Sequence, residues 1–330
     1  MKILSTYSLF IKQVLCSLAV LFFLFNFFVL PFISLYAFAT LCFSSYWYLA
    51  VLYTCWYWYD FDTPINGGRK FQPLRKLQTW KFLKAFFPIN LHKTAELSSE
   101  HNYILCYHPH GIPVFGAFIN FVTDSGGFRQ LFPNIRLRCM ILFVFFYLPL
   151  FREWALLAGL CSCDRRTYKY LTTQKGKGSA ALVVPGGAEE ALDCNSKSMD
   201  LILSTRHGFT KLALSTGAHL VPVISFGENE LYQQIDNPRG SKLRKLQNWL
   251  MKYIQFSPPI FWGASVFFPL FPRKIAIDTV VGAPIPVPHK PNPTWEEVCD
   301  LHKEYISHLK DLFEKSKTRF GYPEDYQLVI

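Results

Sequence analysis

Between Gln13 and Tyr59 the 330-residue chain contains no Asp, Glu, Lys or Arg, so 47 consecutive residues carry no formal charge. A secretory signal offers an apolar region of only about 7–15 residues before a small-residue cleavage site, and this run continues far beyond that. One bilayer crossing needs about 20 residues, so the length suits two. The nine cysteines (Cys16, Cys42, Cys55, Cys106, Cys139, Cys161, Cys163, Cys194 and Cys299) include no Cys-x-x-Cys pair and no even framework. That excludes the disulfide-stapled secreted class and a paired-cysteine zinc site. The one Asn-x-Ser/Thr triplet, Asn292-Pro293-Thr294, is blocked for glycosylation by its proline. Reduced thiols and absent glycosylation both fit a main domain that faces the cytosol. No basic run interleaved with aromatics is present, so nucleic acid is not an expected partner.

What is present is apolar and basic. Hydrophobic residues make up 51% of the chain, with 32 phenylalanines, and the net charge is +11. A bilayer is the natural sink for that much aromatic carbon, while the positive surface favours phosphates of lipid headgroups or of CoA. Asn26 and Pro31 near the middle of the uncharged run predict a hairpin turning around Pro31. Lys2 and Lys12 precede it; Arg69, Lys70, Arg75, Lys76, Lys81 and Lys84 follow. Basic residues at both ends predict that both termini face the cytosol. Trp47, Trp56 and Trp58, with Tyr46, Tyr48, Tyr57 and Tyr59, suit an aromatic belt.

The expected organisation is therefore a membrane hairpin over 1–60, with spans at about 13–59, and a cytosol-facing domain over 61–330. After Asp60, short β-rich runs alternate with helical, charge-bearing segments, the signature of an α/β fold. Candidate strands are Tyr103–Tyr107, Ala180–Val184, Leu220–Phe226 and Ile275–Val281. A helix over Arg206–Thr216 stops at Gly217. Thr294 and Glu297 form a capping box before a helix whose stripe is Val298, Leu301, Tyr305, Leu309 and Leu312. The apolar runs at 139–151 and 255–272 are too short or too proline-broken to span, and are expected in the core or at the membrane interface.

His108-Pro109-His110-Gly111 follows directly on the first candidate strand, where a loop at a strand's carboxyl end is the usual place for α/β chemistry. Proline holds its predecessor extended and residues two apart on an extended chain point the same way, so the two imidazoles are expected to face one pocket. Transfer of an acyl group to an alcohol needs a base for the hydroxyl proton, and amide donors for the oxyanion. Gly111 and the Gly186-Gly187 turn are candidates for the donors. A metal-binding pair or a purely structural, hydrogen-bonded pair remain alternatives, although no third zinc ligand is apparent.

These blocks resemble the family that includes type-two diacylglycerol acyltransferases, monoacylglycerol acyltransferases and acyl-CoA wax-alcohol acyltransferases. The resemblance continues through Phe151-Arg152-Glu153, Val184-Pro185-Gly186-Gly187-Ala188-Glu189, Arg206-His207-Gly208-Phe209-x-Lys211-x-Ala213, Leu220-Val221-Pro222-Val223 and Phe226-Gly227-Glu228. A more distant likeness is to glycerolipid acyltransferases with a His-x4-Asp dyad. Their glycine-to-arginine block is similar to Gly159–Arg165. The dyad is missing, because Pro113 and Phe115 stand where its aspartate would follow His108 and His110.

The resemblance implies an acyl-CoA-dependent O-acyltransferase of neutral-lipid synthesis, built as an N-terminal transmembrane helical hairpin followed by an α/β glycerolipid-acyltransferase-like domain. Acyl-CoA is a co-substrate and no other cofactor or metal is expected. The acceptor is diacylglycerol or monoacylglycerol, with a long-chain alcohol as the alternative and a non-catalytic lipid-binding or droplet protein as a different class. His110 is the implied base, because plant members with Glu-Pro-His-Ser keep a histidine only there; His108 orients or polarises. Glu153, Glu189 and Glu228 are the candidate orienting carboxylates, and Pro109, Gly111, Arg152, Arg165, Gly186, Gly187 and Arg206 the candidate substrate contacts. The implied location is the endoplasmic reticulum membrane, multi-pass, or the lipid droplet. A homo-oligomer is compatible with all of this.

Overall fold

Apolar residues without interruption favour helix where the backbone must satisfy its own hydrogen bonds, and the N-terminus obeys. The computed structural model describes residues 2–194, 197–235, 237–238, 240–254 and 259–330. Helix α1 (Lys2–Leu24) passes through a π-helical stretch, Phe25–Val29, into α2 (Leu30–Cys42). Pro31 does not turn the chain as its position suggested. Proline in a helix lacks an N–H and crowds the carbonyl four residues back, and the wider π-helical spacing just before it accommodates both defects. The turn comes later, at Phe43–Tyr46, where the Ser44 hydroxyl donates to the Leu41 carbonyl and accepts the Tyr46 amide. Helix α3 (Trp47–Tyr59) then folds back on α2, with Phe38 and Tyr53 rings 5.6 Å apart. Among the described residues one helix, Leu9–Cys42, is long and apolar enough to cross a bilayer. Thirteen residues give α3 only about 20 Å, short of a crossing.

Seven strands form the main sheet: β1 (Ile89–Lys93), β2 (Tyr103–His108), β3 (Arg136–Ile141), β4 (Leu160–Ser162), β5 (Ser179–Val183), β6 (His219–Phe226) and β7 (Ile277–Val281). Their order is β1-β7-β6-β2-β5-β3-β4, parallel throughout except where β7 runs against β6. The four candidate strands correspond to β2, β5, β6 and β7. The remaining helices used below are α4 (Gln78–Phe86), α5 (Phe151–Ala158), α6 (Gly187–Glu190), α7 (Gly208–Thr216), α8 (Lys242–Ile254) and α9 (Trp295–Lys317). Helix α9 starts with the expected capping box, and its stripe from Val298 to Leu312 is buried.

Alternation along β2 divides the core. Tyr103, Leu105 and Tyr107 face a layer containing Val20, Phe23, Trp80, Leu83, Phe115 and Phe118. Ile104 and Cys106 face the other, with Phe209, Tyr305, Leu309 and Phe313. The N-terminal helix is thus part of the first core: Phe23 lies 4.4 Å from Phe115 and Phe27 5.7 Å from Trp154, ring to ring. Of the two ambiguous apolar runs, the first supplies the end of β3 and a 3-10 turn, Phe143–Tyr147. In the second, residues 255–258 lie outside the described residues; beyond them Val266, Phe267 and Phe268 stand exposed.

Candidate active site

The parity of β2 fixes the two histidines before any chemistry is considered. His108 shares the side of Ile104 and Cys106 and therefore points at α9, where its Nε2 lies 2.9 Å from the Tyr305 hydroxyl. The ring is fully buried, its Nδ1 has no partner, and burial drives its pKa down to about 3. His108 is neutral and walled in. The chain is not extended through His110: the strand ends at His108, the His108–Pro109 peptide is cis and Gly111 turns with a φ of +63°. The sequence expectation of two imidazoles side by side in one pocket assumed an extended chain to His110, and the turn removes it.

The His110 ring is half-buried and its Nδ1 lies 2.9 Å from the Gly111 carbonyl oxygen. A carbonyl can only accept, so Nδ1 carries the proton and Nε2 presents its lone pair. No described residue bonds Nε2. Burial lowers the His110 pKa, partly offset by the Gly111 carbonyl, which keeps the lone pair free at neutral pH.

The carboxylate that meets this loop is Glu190, which stands one residue beyond the candidate Glu189. Buried to 1% exposure, it accepts the His110 amide at 3.1 Å. Its carboxyl lies directly over Gly186, where a Cβ would fall 1.3 Å from Oε2, so the Pro185-Gly186-Gly187 turn admits no side chain there. Burial raises the Glu190 pKa to about 8, and Oε2 has no partner. Glu189 turns outward to a half-exposed ion pair with Arg206 at 2.6 Å.

Glu228 closes the other side of the loop. Its Oε1 accepts the Tyr107 hydroxyl at 2.8 Å and the Gly116 amide at 2.5 Å, and burial raises its pKa to about 7. A Cβ on Gly111 would lie 3.5 Å from its Oε2, so Glu228 packs against the loop without bonding either histidine. Loops at the carboxyl ends of three adjacent parallel strands, β2, β5 and β6, thus converge on His110. As for oxyanion donors, the Gly187 amide is occupied by the Val184 carbonyl at 3.1 Å. Among the described residues the amides of Gly111 and Gly186 donate to nothing.

Arg152 and Glu153 are not brought to the histidines. Arg152, 1% exposed, bonds Asp60 and Glu153 and lies over the Tyr57 ring, while Glu153 also holds Arg69 at 2.7 Å. Their charges lock α3 to the domain. Arg165 is exposed, and no described residue hydrogen-bonds or ion-pairs with it. Sequence reasoning missed Glu190 and the role of Tyr305. Neighbouring glutamates cannot be ranked without the helix phase, whereas Tyr305 carried a usable signal: a lone hydroxyl in an aliphatic stripe.

Comparison with known proteins places this geometry in context. The sequence model described as Diacylglycerol acyltransferase matches residues 39–330. Human 2-acylglycerol O-acyltransferase 1 is 43% identical over 275 residues, 82% of each chain. Danio rerio diacylglycerol O-acyltransferase 2 is 45% identical over 276 residues, covering 82% of this chain and 76% of its own. Human 2-acylglycerol O-acyltransferase 3 is 42% identical over 268 residues, 80% of this chain and 79% of its own. Among solved structures, the 1-acyl-sn-glycerophosphate acyltransferase PlsC of Thermotoga maritima superposes with a TM-score of 0.34 at 13% identity, over 78% of this chain and 94% of that one.

Proposed function

This chain belongs to the diacylglycerol acyltransferase family, and from that premise we propose that it is an acyl-CoA-dependent O-acyltransferase that esterifies the free hydroxyl of an acylglycerol. The observation that carries the reading is the His110 ring, with Nδ1–H held by the Gly111 carbonyl and Nε2 unpaired at a convergence of three strand ends.

In the reaction, Nε2 takes the proton of the acceptor hydroxyl as its oxygen attacks the thioester carbonyl carbon. The tetrahedral oxyanion is held by the free amides of Gly111 and Gly186. Collapse breaks the C–S bond, leaves the ester, and the departing CoA thiolate takes the proton back from His110. Glu190 positions the base through the His110 amide. His108, neutral and bonded to Tyr305, holds the end of β2. Arg206 sits close enough to Glu190 to act on its charge, and we assign it to the mouth of the site.

The acceptors are membrane-dissolved lipids, so the site must meet the bilayer. Leu9–Cys42 anchors the chain there, α3 folds back beside it, and the α/β domain lies on the cytosolic face of the endoplasmic reticulum. Exposed Val266, Phe267 and Phe268 dip into the interface, as do exposed Leu246, Trp249 and Tyr253 on α8.

The test is acyl incorporation from labelled acyl-CoA in microsomes. His110→Asn is expected to abolish incorporation while membrane association persists; incorporation at the wild-type rate would remove His110 as base. Offering monoacylglycerol, diacylglycerol and a fatty alcohol together to purified protein names the acceptor.

A further inference from the structure

Away from the histidines, the chain gathers positive charge with almost nothing to balance it. No acidic residue occurs between Asp62 and Glu96, nor between Asp124 and Glu153, apart from those endpoints. The fold brings these two stretches together. The Asp124 amide donates to the Arg75 carbonyl at 3.0 Å, and Lys84 donates to the Ser125 carbonyl at 3.2 Å. Lys76, Lys81 and Arg129 thereby line one cavity with a single carboxylate, Asp124, and Arg75 and Lys84 adjoin it. Asp124 is shared by Arg75 at 3.3 Å and Arg129 at 3.6 Å.

A cavity of about 480 Å3 opens here, lined by Lys76, Lys81, Asp124, Phe128 and Arg129 among others. Its size falls in the range of small-molecule sites. A topology signal beside a membrane helix would need only solvated lysines at the surface. Arg75 is instead drawn inward beside Asp124, 6% exposed with an unpartnered Nε. Buried donors without acceptors are costly, which marks a place where an acceptor-rich group belongs. Burial, and then repulsion from Arg75, Arg138 and Arg129, lowers the Lys70 pKa to about 8. An anion would relieve that repulsion.

We propose that Lys76, Lys81 and Arg129, with Arg75 behind Asp124, form a binding site for a phosphate group of two or more negative charges. Planar guanidinium forks and flexible ammonium groups around one cavity match phosphate oxygens. The same chemistry arrives from two sources, the phosphorylated nucleotide end of CoA or the headgroup of an anionic phospholipid. The first source rests on the acyl-CoA reading above; the site itself does not.

The experiment uses full-length protein in detergent, with 3′,5′-ADP as a nucleotide probe and vesicles of phosphatidic acid or of phosphatidylcholine as lipid probes. The variant is Lys76→Gln with Arg129→Gln, both exposed and replaceable without disturbing the core; thermal stability is measured alongside. Nucleotide affinity weakened tenfold or more, with a matching rise in KM for acyl-CoA and none for the acylglycerol, assigns the site to CoA. Loss of the preference for phosphatidic acid vesicles, with nucleotide binding kept, assigns it to the headgroup. A stable variant that binds both probes as the wild type does, or a wild type that binds neither, overturns the proposal. Neither probe requires acyl transfer, so a failure of the acyltransferase reading would show separately.

Discussion

Replacing Glu190 by glutamine and by alanine separates a positioning role from a charge-based one. The side chain accepts the His110 amide in a spot that is closed to water. Alanine leaves that donor unsatisfied, so about 1–3 kcal/mol is lost. If only about 2 kcal/mol of that reaches the transition state through a displaced His110, acyl transfer falls about 30-fold. Glutamine keeps the accepting oxygen and the shape. Because burial raises the Glu190 pKa to about 8, the wild-type carboxyl is mostly protonated at pH 7 and glutamine imitates it. Transfer by Glu190→Gln is expected within about threefold of wild type. The folded state holds a proton between pH 4.5 and about 8 that the unfolded chain releases, so this group's contribution to stability is complete below 4.5. It declines as pH rises through that window. Thermal unfolding in detergent should show that decline in the wild type and a flatter profile in Glu190→Gln. Labelled acyl-CoA incorporation supplies the activity readout. Glutamine as damaging as alanine would mean that a carboxylate anion is required, and the positioning argument would fail.

Tyr305→Phe removes the hydroxyl at His108 Nε2 and should lower stability by about 1–2 kcal/mol, with transfer reduced less than tenfold; a loss matching His110→Asn would make His108 the base instead. Because the folded pKa of His108 is lowered to about 3, stability is expected to fall as pH drops from 6.5 toward 3, and His108→Gln should remove that share in acid-unfolding curves. Gly116→Ala places a Cβ 2.7 Å from both Glu228 Oε1 and Tyr107 Oη, so it should destabilise by about 1–3 kcal/mol in thermal melts. Arg152→Ala removes one of the two arginines on Asp60, which keeps Arg69 at 2.6 Å, and should cost about 1–3 kcal/mol, with protease sensitivity appearing near Asp60; unchanged proteolysis would refute the locking role.

Much of this was legible in the chain, and the failures have physical causes. Strands β2, β5 and β6 were readable because buried parallel strands are short apolar runs ending at Gly or Pro. Strand β1, Ile-Asn-Leu-His-Lys, and β3, Arg-Leu-Arg-Cys-Met-Ile, sit toward the sheet edges and carry polar residues that hide the pattern. The α9 capping box could be read because both partners lie within one turn. Pro31 misled because the π-helical stretch before it is a feature of hydrogen-bond spacing, which side-chain identity does not announce. The histidine loop stood out as a block, and the role of His110 in it is the proposal made above. Glu190 was not, because which of two adjacent glutamates turns inward depends on the phase of α6 against β2. Arg152 and Glu153 have conspicuous charge, and only the fold shows that charge neutralised at the foot of α3.

The burial of Phe23 and Val20 beside Trp80, Phe115 and Phe118 has a practical consequence. The greasy N-terminal rod doubles as a wall of the catalytic body, so trimming it to gain solubility would strip the lining from the helix that leads out of the histidine loop. A shortened chain would be expected to clump or go slack around its reactive ring. Enzymology on this protein therefore belongs in micelles or nanodiscs, with the first sixty residues kept.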